Sequence, residues 1–455
     1  MLGQDSSKAV VPHEVARIGE ILPNWKPHLT HICATWRKCD LWRRQGASYL
    51  CQSALNYAPL TRFNTALEPD MAKTFLRALT LSRGPMLALG AVGVIWGTFA
   101  AMVPVIKAQA QASDAAFGTA LLGSAAGGMV AMYIAPKLSE ALGRFVLLFL
   151  AVLSVLVLQL PVFVTSTGRL LPVMAAMGIA VASLDINANL RVSQLEDRHG
   201  LHLMNLNHAM FSLCFGAAAV LVAALRHSGW SIAQILPLMG GGVLVLGALS
   251  FEGRDPVVPD TDEEATPAMP GLPWRPILLV AVMLFVSFMG ENAIESWSAL
   301  FLERELGGEA GQGGFGPSML GFTMAGFRLL GHLGTQRLGE ARVVFWSGVL
   351  GVVGALVLSQ AQTQPIALFG IAVTAIGMAV IVPTATSLLG KRVSRRHRNV
   401  AISRAWMLGF VGFFVGPSTI GFVSDHFGLR VAFLCVTGML ALIIPAVLAL
   451  TRVQN

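Results

Sequence analysis

Charge is scarce in this chain. Only 12% of its 455 residues are Asp, Glu, Lys or Arg, where a soluble domain carries about 25%. Hydrophobic residues make up 55%, and the mean hydropathy is +0.66. No soluble fold of this length needs so much apolar surface. Residues 1–80 lack an apolar h-region, which excludes a secretory signal peptide there. Their His28, His31, Cys33 and Cys39 match neither a paired CxxC nor a CxxC/HxxxH spacing, so no metal site and no cofactor are expected. Cys214 and Cys435 fall within apolar runs and read as small core residues. The chain also lacks a Gly-x-Ser-x-Gly elbow and a P-loop, so no catalytic residues are assigned and an enzyme is not expected.

Long apolar runs are what the chain has instead. Stretches of about 20 residues, each long enough for a hydrocarbon core of about 30 Å, lie near 84–106, 116–136, 145–165, 169–190, 202–225, 232–251, 276–298, 315–335, 343–361, 365–388, 400–423 and 430–450. The expectation is an all-α membrane protein of twelve transmembrane helices. Even-numbered connections hold Lys137, Arg144, Arg191, Arg198, Arg254, Arg275, Arg337, Arg342 and the basic run Lys391–Arg398, whereas odd-numbered ones hold Lys107, Arg169, Arg226, Arg304 and Arg430. By the positive-inside rule both termini are expected in the cytoplasm. The net charge of +8 then reads as membrane orientation, and nucleic acid is not an expected partner.

The region 252–274 is the longest connection between spans. It gathers Asp260, Asp262, Glu263 and Glu264 among prolines, a composition that cannot build a core. It is expected to be a cytoplasmic linker between six-helix bundles at 81–251 and 275–455. Residues 1–80 read as a disordered cytoplasmic extension, and Met71, opening a short basic lead-in to the first span, as the physiological start.

Several ionisable or amide groups interrupt the spans, and such groups in a membrane face a cavity or a partner. Asp185 and Asn189 share one face of the fourth span, Glu291 and Glu295 one face of the seventh, and Asn205, His208 and Ser212 follow a 3-4 spacing on the fifth. Carboxylates with amide and hydroxyl groups suit a polyhydroxylated ligand, and Trp297 offers an apolar face to a sugar ring. Arg328 and Arg404 are the basic residues inside spans; snorkelling is the cheaper reading for each, with pairing to a carboxylate such as Glu291 or an anionic solute as alternatives. Gly118, Gly123, Gly127 and Gly128 read as close-packing positions of the second span.

After the second span, Pro136-Lys137-Leu138-Ser139-Glu140-Ala141-Leu142-Gly143-Arg144 resembles the loop motif of the major facilitator superfamily. Glu140 takes the acidic place and Gly143-Arg144 match, while Pro136 stands where a glycine is expected. Gly331 through Gly339, with Thr335 at the acidic place, is a weaker copy in the second half. The resemblance implies two pseudo-symmetric bundles with a midplane site, and Glu140 and Arg144 capping and bridging helix ends.

A closer likeness runs through Leu184-Asp185-Ile186-Asn187-Ala188-Asn189, Asn205-Leu206-Asn207-His208-Ala209 and Phe215-Gly216-Ala217. It is similar to the fucose permease group of sugar:proton symporters, with Asp185 at the group's glutamate, Asn189 at its asparagine and His208 at its glutamine. Gly290-Glu291 and Trp297 resemble the group's Gly-x-Glu to Trp pattern. That group carries a second acid in its first span, whereas 86–106 here has no ionisable residue. Glu291 or Glu295 is expected to substitute, or the carrier is a uniporter. The reading is a monomeric secondary transporter of the inner membrane that moves a small polar solute by alternating access, with a proton as co-substrate. A drug exporter working by proton antiport and a non-transporting sensor are the alternatives.

Overall fold

The computed structural model describes residues 67–252, 271–394 and 396–452. The extension as far as residue 66 with its His28, His31, Cys33 and Cys39, most of the 252–274 linker, and the side chains around Thr335 lie outside the described residues.

Within the described residues every long element is a helix, as it must be where lipid offers the backbone no hydrogen bonds. Helix α1 (Leu67–Leu81) precedes the first crossing. The first half contains α2 (Arg83–Gln109), α3 (Asp114–Leu142), α4 (Val146–Leu158), α5 (Thr167–His199), α6 (Met204–His227) and α7 (Ile232–Leu249). The second contains α8 (Trp274–Leu300), α9 (Phe315–Leu338), α10 (Glu340–Gln360), α11 (Gln364–Met378), α12 (Ile381–Arg392), α13 (Arg398–Leu440) and α14 (Ile443–Arg452).

Nine stretches among the described residues are long and apolar enough to cross a membrane. Two of these, Asp114–Phe163 and Arg398–Arg452, run to 50 and 55 residues, far beyond the ~20 that one crossing takes. Both fold back at a glycine with positive φ, Gly143 at 51° and Gly428 at 83°, where a side chain would be strained. Adding α9, whose Arg328 and glycines dilute its apolar content, gives the twelve crossings expected from the hydropathy pattern.

Two expectations need correction. The tenth span, predicted as one helix, is α11 and α12 with a break at Ala379–Val380. Pro383 explains it, since its ring clashes with the carbonyl four residues earlier and it has no N–H to offer. The fourth span, expected to end near residue 190, continues as helix to His199 and closes on Gly200 with φ 63°.

Small residues let the helices approach. Gly123 and Gly127 of α3 and Gly178 of α5 each press on the opposing backbone, leaving no room for a Cβ. Gly118 does the same against Pro417 of α13, which makes it a contact between halves rather than within one. Gly128 meets only the Cβ of Ala182, so the expected run of four close-packing glycines is a run of three. The halves meet along α3 with α13, α6 with α9 and α2 with α8. Alternate connections define two ends of the molecule. The near end holds Gly143, His199, Leu249 and Arg392; the far end holds Gln109, His227, Glu305 and Gln360.

Candidate functional site

The mid-membrane polar residues come together from four helices and both halves. On α5 and α6 of the first half, the His208 Nε2 to Asn189 Oδ1 distance is 3.1 Å, and the Asn189 amide donates to the backbone carbonyl of Asp185 at 2.9 Å. From α9 of the second half, Arg328 donates to Glu291 Oε1 of α8 at 3.0 Å and to Ser212 Oγ of α6 at 2.6 Å. Glu295, one turn from Glu291, is within electrostatic range of both Glu291 and Arg328. Glu291 therefore has a cationic partner, while Asp185 and Glu295 have no ion pair among the described residues.

Arg328 corrects the sequence reading. It does not snorkel: its guanidinium is turned inward, and the pair with Glu291 leaves each side chain 17% exposed. A buried guanidinium is tolerated because a carboxylate and a hydroxyl satisfy it together; removing one partner from such a pair costs about 3–5 kcal/mol. Arg404, by contrast, is exposed. Among the predicted site residues, Asp185, Asn189, His208, Glu291 and Glu295 are half-buried, and Asn205 is exposed near the start of α6. Trp297 has no exposed surface and packs edge-on against Phe117 of α3 at 5.7 Å. In this conformation it offers no face to a solute.

The polar contacts described between the halves cluster at the far end. Asp114, the first residue of α3, takes a bidentate bond from Arg304 at 2.8 and 2.7 Å, an ion pair from Lys107 at 2.9 Å and a short bond from Ser424 of α13. Its own backbone N–H donates to Asp425 at 3.0 Å. Next to Arg304 in sequence, Glu303 accepts a bidentate pair from Arg226 of α6 at 2.7 and 3.0 Å and the backbone N–H groups of Gly311 and Gly313. A single π turn, Phe301–Glu305, at the tip of α8 carries both residues. Glu303 and Arg304 thus reach opposite ways, to α6 and to α3. Of the cross-half contacts, Arg328–Ser212 lies furthest from this clasp. Among the described residues, the near-end ion pairs Arg191 with Glu252 and Lys391 with Glu340 each lie within one half.

The loop motif behaves differently from the expectation. Glu140 and Arg144 make no ion pair among the described residues; Arg144 lies over the ring of Phe145 at 4.9 Å, and Gly143 supplies the turn. The bridging is done by Glu252, which takes Arg191 at 3.1 Å and the backbone N–H of Gly84 at 3.2 Å. The far-end clasp itself was missed. Its charges stand at span edges, where solvated charges are ordinary, but Glu303-Arg304-Glu305 closing an apolar run before the glycine-rich 307–314 was a readable signal.

The family model of the Major Facilitator Superfamily matches residues 86–358 and 280–455. An uncharacterized MFS-type transporter of Yersinia pestis is 25% identical over 367 residues, covering 80% of this chain and 94% of that protein. Among solved structures, the nucleoside transporter NupG superposes with a TM-score of 0.62 at 15% identity, over 82% of this chain and 100% of that one. An inward-facing, occupied bacterial homologue of the human lysosomal transporter Spinster gives 0.63 at 16% identity, over 83% and 97%. None of these likenesses singles out the fucose permease group. With the family model spanning nearly all of the helical region, the chain belongs to the Major Facilitator Superfamily and is a membrane transporter with its all-helical fold.

Proposed function

We propose that this transporter moves a small polar solute of the sugar class by alternating access, with proton coupling, across the inner membrane. The observation that carries the reading is the mid-span constellation of Asp185, Asn189, His208, Glu291, Glu295 and Arg328. It is assembled from both halves and lies beneath a clasp that joins them at the far end. Amides, an imidazole and carboxylates offer both donors and acceptors to a polyhydroxylated solute. Rocking of the halves would break the far-end clasp and expose the same site to the other side. With both termini cytoplasmic, the conformation described is closed to the outside.

Asp185 and Glu295 are the proposed proton carriers. Each is a carboxyl in an apolar span without an ion pair among the described residues, so gaining and losing a proton changes its charge at a place where charge is costly. Glu291 is held by Arg328 and acts as an anchor. This assignment replaces the acid that the first span lacks.

The reading is tested in proteoliposomes with a panel of radiolabelled sugars, polyols and amphipathic drugs, with and without an inward proton gradient. Gradient-driven accumulation of a sugar or polyol is expected. Accumulation of amphipathic drugs alone, driven by an opposing gradient, would overturn the reading in favour of an exporter.

A further inference from the structure

Arg328 has two carboxylates within reach and takes one. Glu291 and Glu295 stand one turn apart on α8, a spacing at which helix side chains are neighbours, and Glu295 is within electrostatic range of the guanidinium. The guanidinium nevertheless donates to Glu291 Oε1 at 3.0 Å, and Glu295 has no ion pair among the described residues. The two carboxyls are chemically alike, so the choice is made elsewhere.

The other contact of Arg328 makes it. Ser212 of α6, 2% exposed, accepts from Nη1 at 2.6 Å. Its own hydroxyl hydrogen is committed to the backbone carbonyl of His208 at 3.0 Å, so the oxygen meets Arg328 as an acceptor. Helix packing brings the two together. A Cβ on Gly321 of α9 would lie 2.8 Å from both the Ser212 carbonyl oxygen and the Gly216 nitrogen, so the two backbones touch at this level. Side chains tilt toward the N-terminus of their helix, and Arg328, about two turns further along α9, reaches back to it. One nitrogen is tied to the first half, and the other falls to Glu291.

We propose that Ser212 is a positioning residue that steers the Arg328 guanidinium onto Glu291 and away from Glu295, leaving Glu295 without an ion pair in the transport site. Without the hydroxyl, Nη1 would hold an unmade buried bond, and Glu295 is the nearby acceptor that would meet it. Arg328 would then bridge both carboxylates. The other helices packed on α8 are α2, α11, α12, α13 and α14; their residues 84–106, 364–390, 405–424 and 443–451 include no Asp, Glu, His, Lys or Arg. Across the seam His208 is within electrostatic range of Arg328, and Asn189 joins it to the Asp185 backbone. The proposal takes its meaning for transport from the carrier reading above, in which Glu295 gains and loses a proton.

The experiment treats the full chain in proteoliposomes with N,N′-dicyclohexylcarbodiimide, which modifies protonated carboxyls in apolar surroundings, and quantifies the modified peptides by mass spectrometry. In the parent protein Glu295 should react and Glu291 should not. Ser212→Ala should cut the reaction at Glu295 about tenfold, because a guanidinium partner favours the ionised carboxylate. Ser212→Thr, which keeps the hydroxyl, should retain the parent pattern. Adding Arg328→Met to Ser212→Ala should return the reactivity of Glu295, which loosened packing alone would not do.

An unreactive Glu295 in the parent, an unchanged yield in Ser212→Ala, or a loss that Arg328→Met leaves in place would overturn the proposal. A second arm follows radiolabelled L-fucose and the accompanying proton movement in the same vesicles, where Ser212→Ala should weaken the proton signal while exchange continues. If the carbodiimide pattern shifts as expected and the proton signal keeps its size, Ser212 steers Arg328 as proposed and the proton role of Glu295 fails. If the parent does not carry L-fucose, the solute assignment fails for that sugar, and the carbodiimide arm alone decides about Ser212.

Discussion

The far-end clasp and the mid-membrane constellation hold the same residue types in opposite states of satisfaction. Asp114 collects Arg304, Lys107 and Ser424, and Glu303 collects Arg226 and two backbone N–H groups. In the middle, Arg328 is shared between Glu291 and Ser212, and Asp185 and Glu295 lack ion pairs among the described residues. Saturated carboxylates hold a conformation. Unsaturated ones are left free to bind, and in the proposed reading the difference separates the part that locks the halves from the part that handles the cargo.

The comparison can be broken most forcefully at Asp114. Replacing it by Asn removes the charge that Arg304 and Lys107 share; Arg304 is 37% exposed and keeps Glu305, but the Lys107 side chain, 15% exposed, is left without a carboxylate among the described residues, and removing one partner of a buried pair costs about 3–5 kcal/mol. The far-closed state should lose its advantage, so far-side maleimide labelling of a Thr98→Cys reporter should rise about a hundredfold. Equal labelling of the variant and its parent would show that the clasp does not hold the halves.

Next in size is the Arg328–Glu291 pair. Glu291→Gln should lower the thermal midpoint and abolish transport, having stranded the guanidinium. Adding Arg328→Met should restore much of the midpoint without restoring transport, with a coupling of about 0.5–3 kcal/mol in the double-mutant cycle. Additive losses would mean that the pair is incidental.

Asp185→Asn addresses function with little effect on stability. Solute exchange across the membrane should persist, whereas accumulation against a gradient and its dependence on pH should both disappear. Retention of pH-dependent accumulation would remove Asp185 from the coupling assignment.

The smallest effect belongs to the loop motif. Because Glu140 and Arg144 are exposed and unpaired with one another here, Glu140→Gln should move stability by no more than about 0.5 kcal/mol in chemical denaturation. A larger loss would reveal a bridge formed in another conformation.

Much of this was legible in the chain. Apolar length placed the twelve crossings found among the described residues, because a bilayer sets the length of its helices, and the cost of charge in lipid drew attention to Asp185, Glu291 and Arg328. The i,i+4 spacing put Asp185 with Asn189 and Glu291 with Glu295, and the structure keeps both pairs on their helices. Which way Arg328 turns was not legible, since linear position does not fix the face a residue shares with neighbouring helices. Glu303-Arg304-Glu305 marked one side of the clasp, but its partners were not legible, because Asp114, Arg226 and Glu303 come from three separate span ends that only the packing of α3, α6 and α8 brings together. The break in the tenth span was written in Pro383 and overlooked beside a strong apolar run.

Proton movement tests the central claim most directly. In proteoliposomes holding the unmodified protein, addition of a transported sugar should alkalinise a weakly buffered external medium, and Asp185→Asn combined with Glu295→Gln should abolish that signal while sugar exchange continues. An alkalinisation of equal size in the double variant would contradict the assignment of the unpaired carboxyls to coupling.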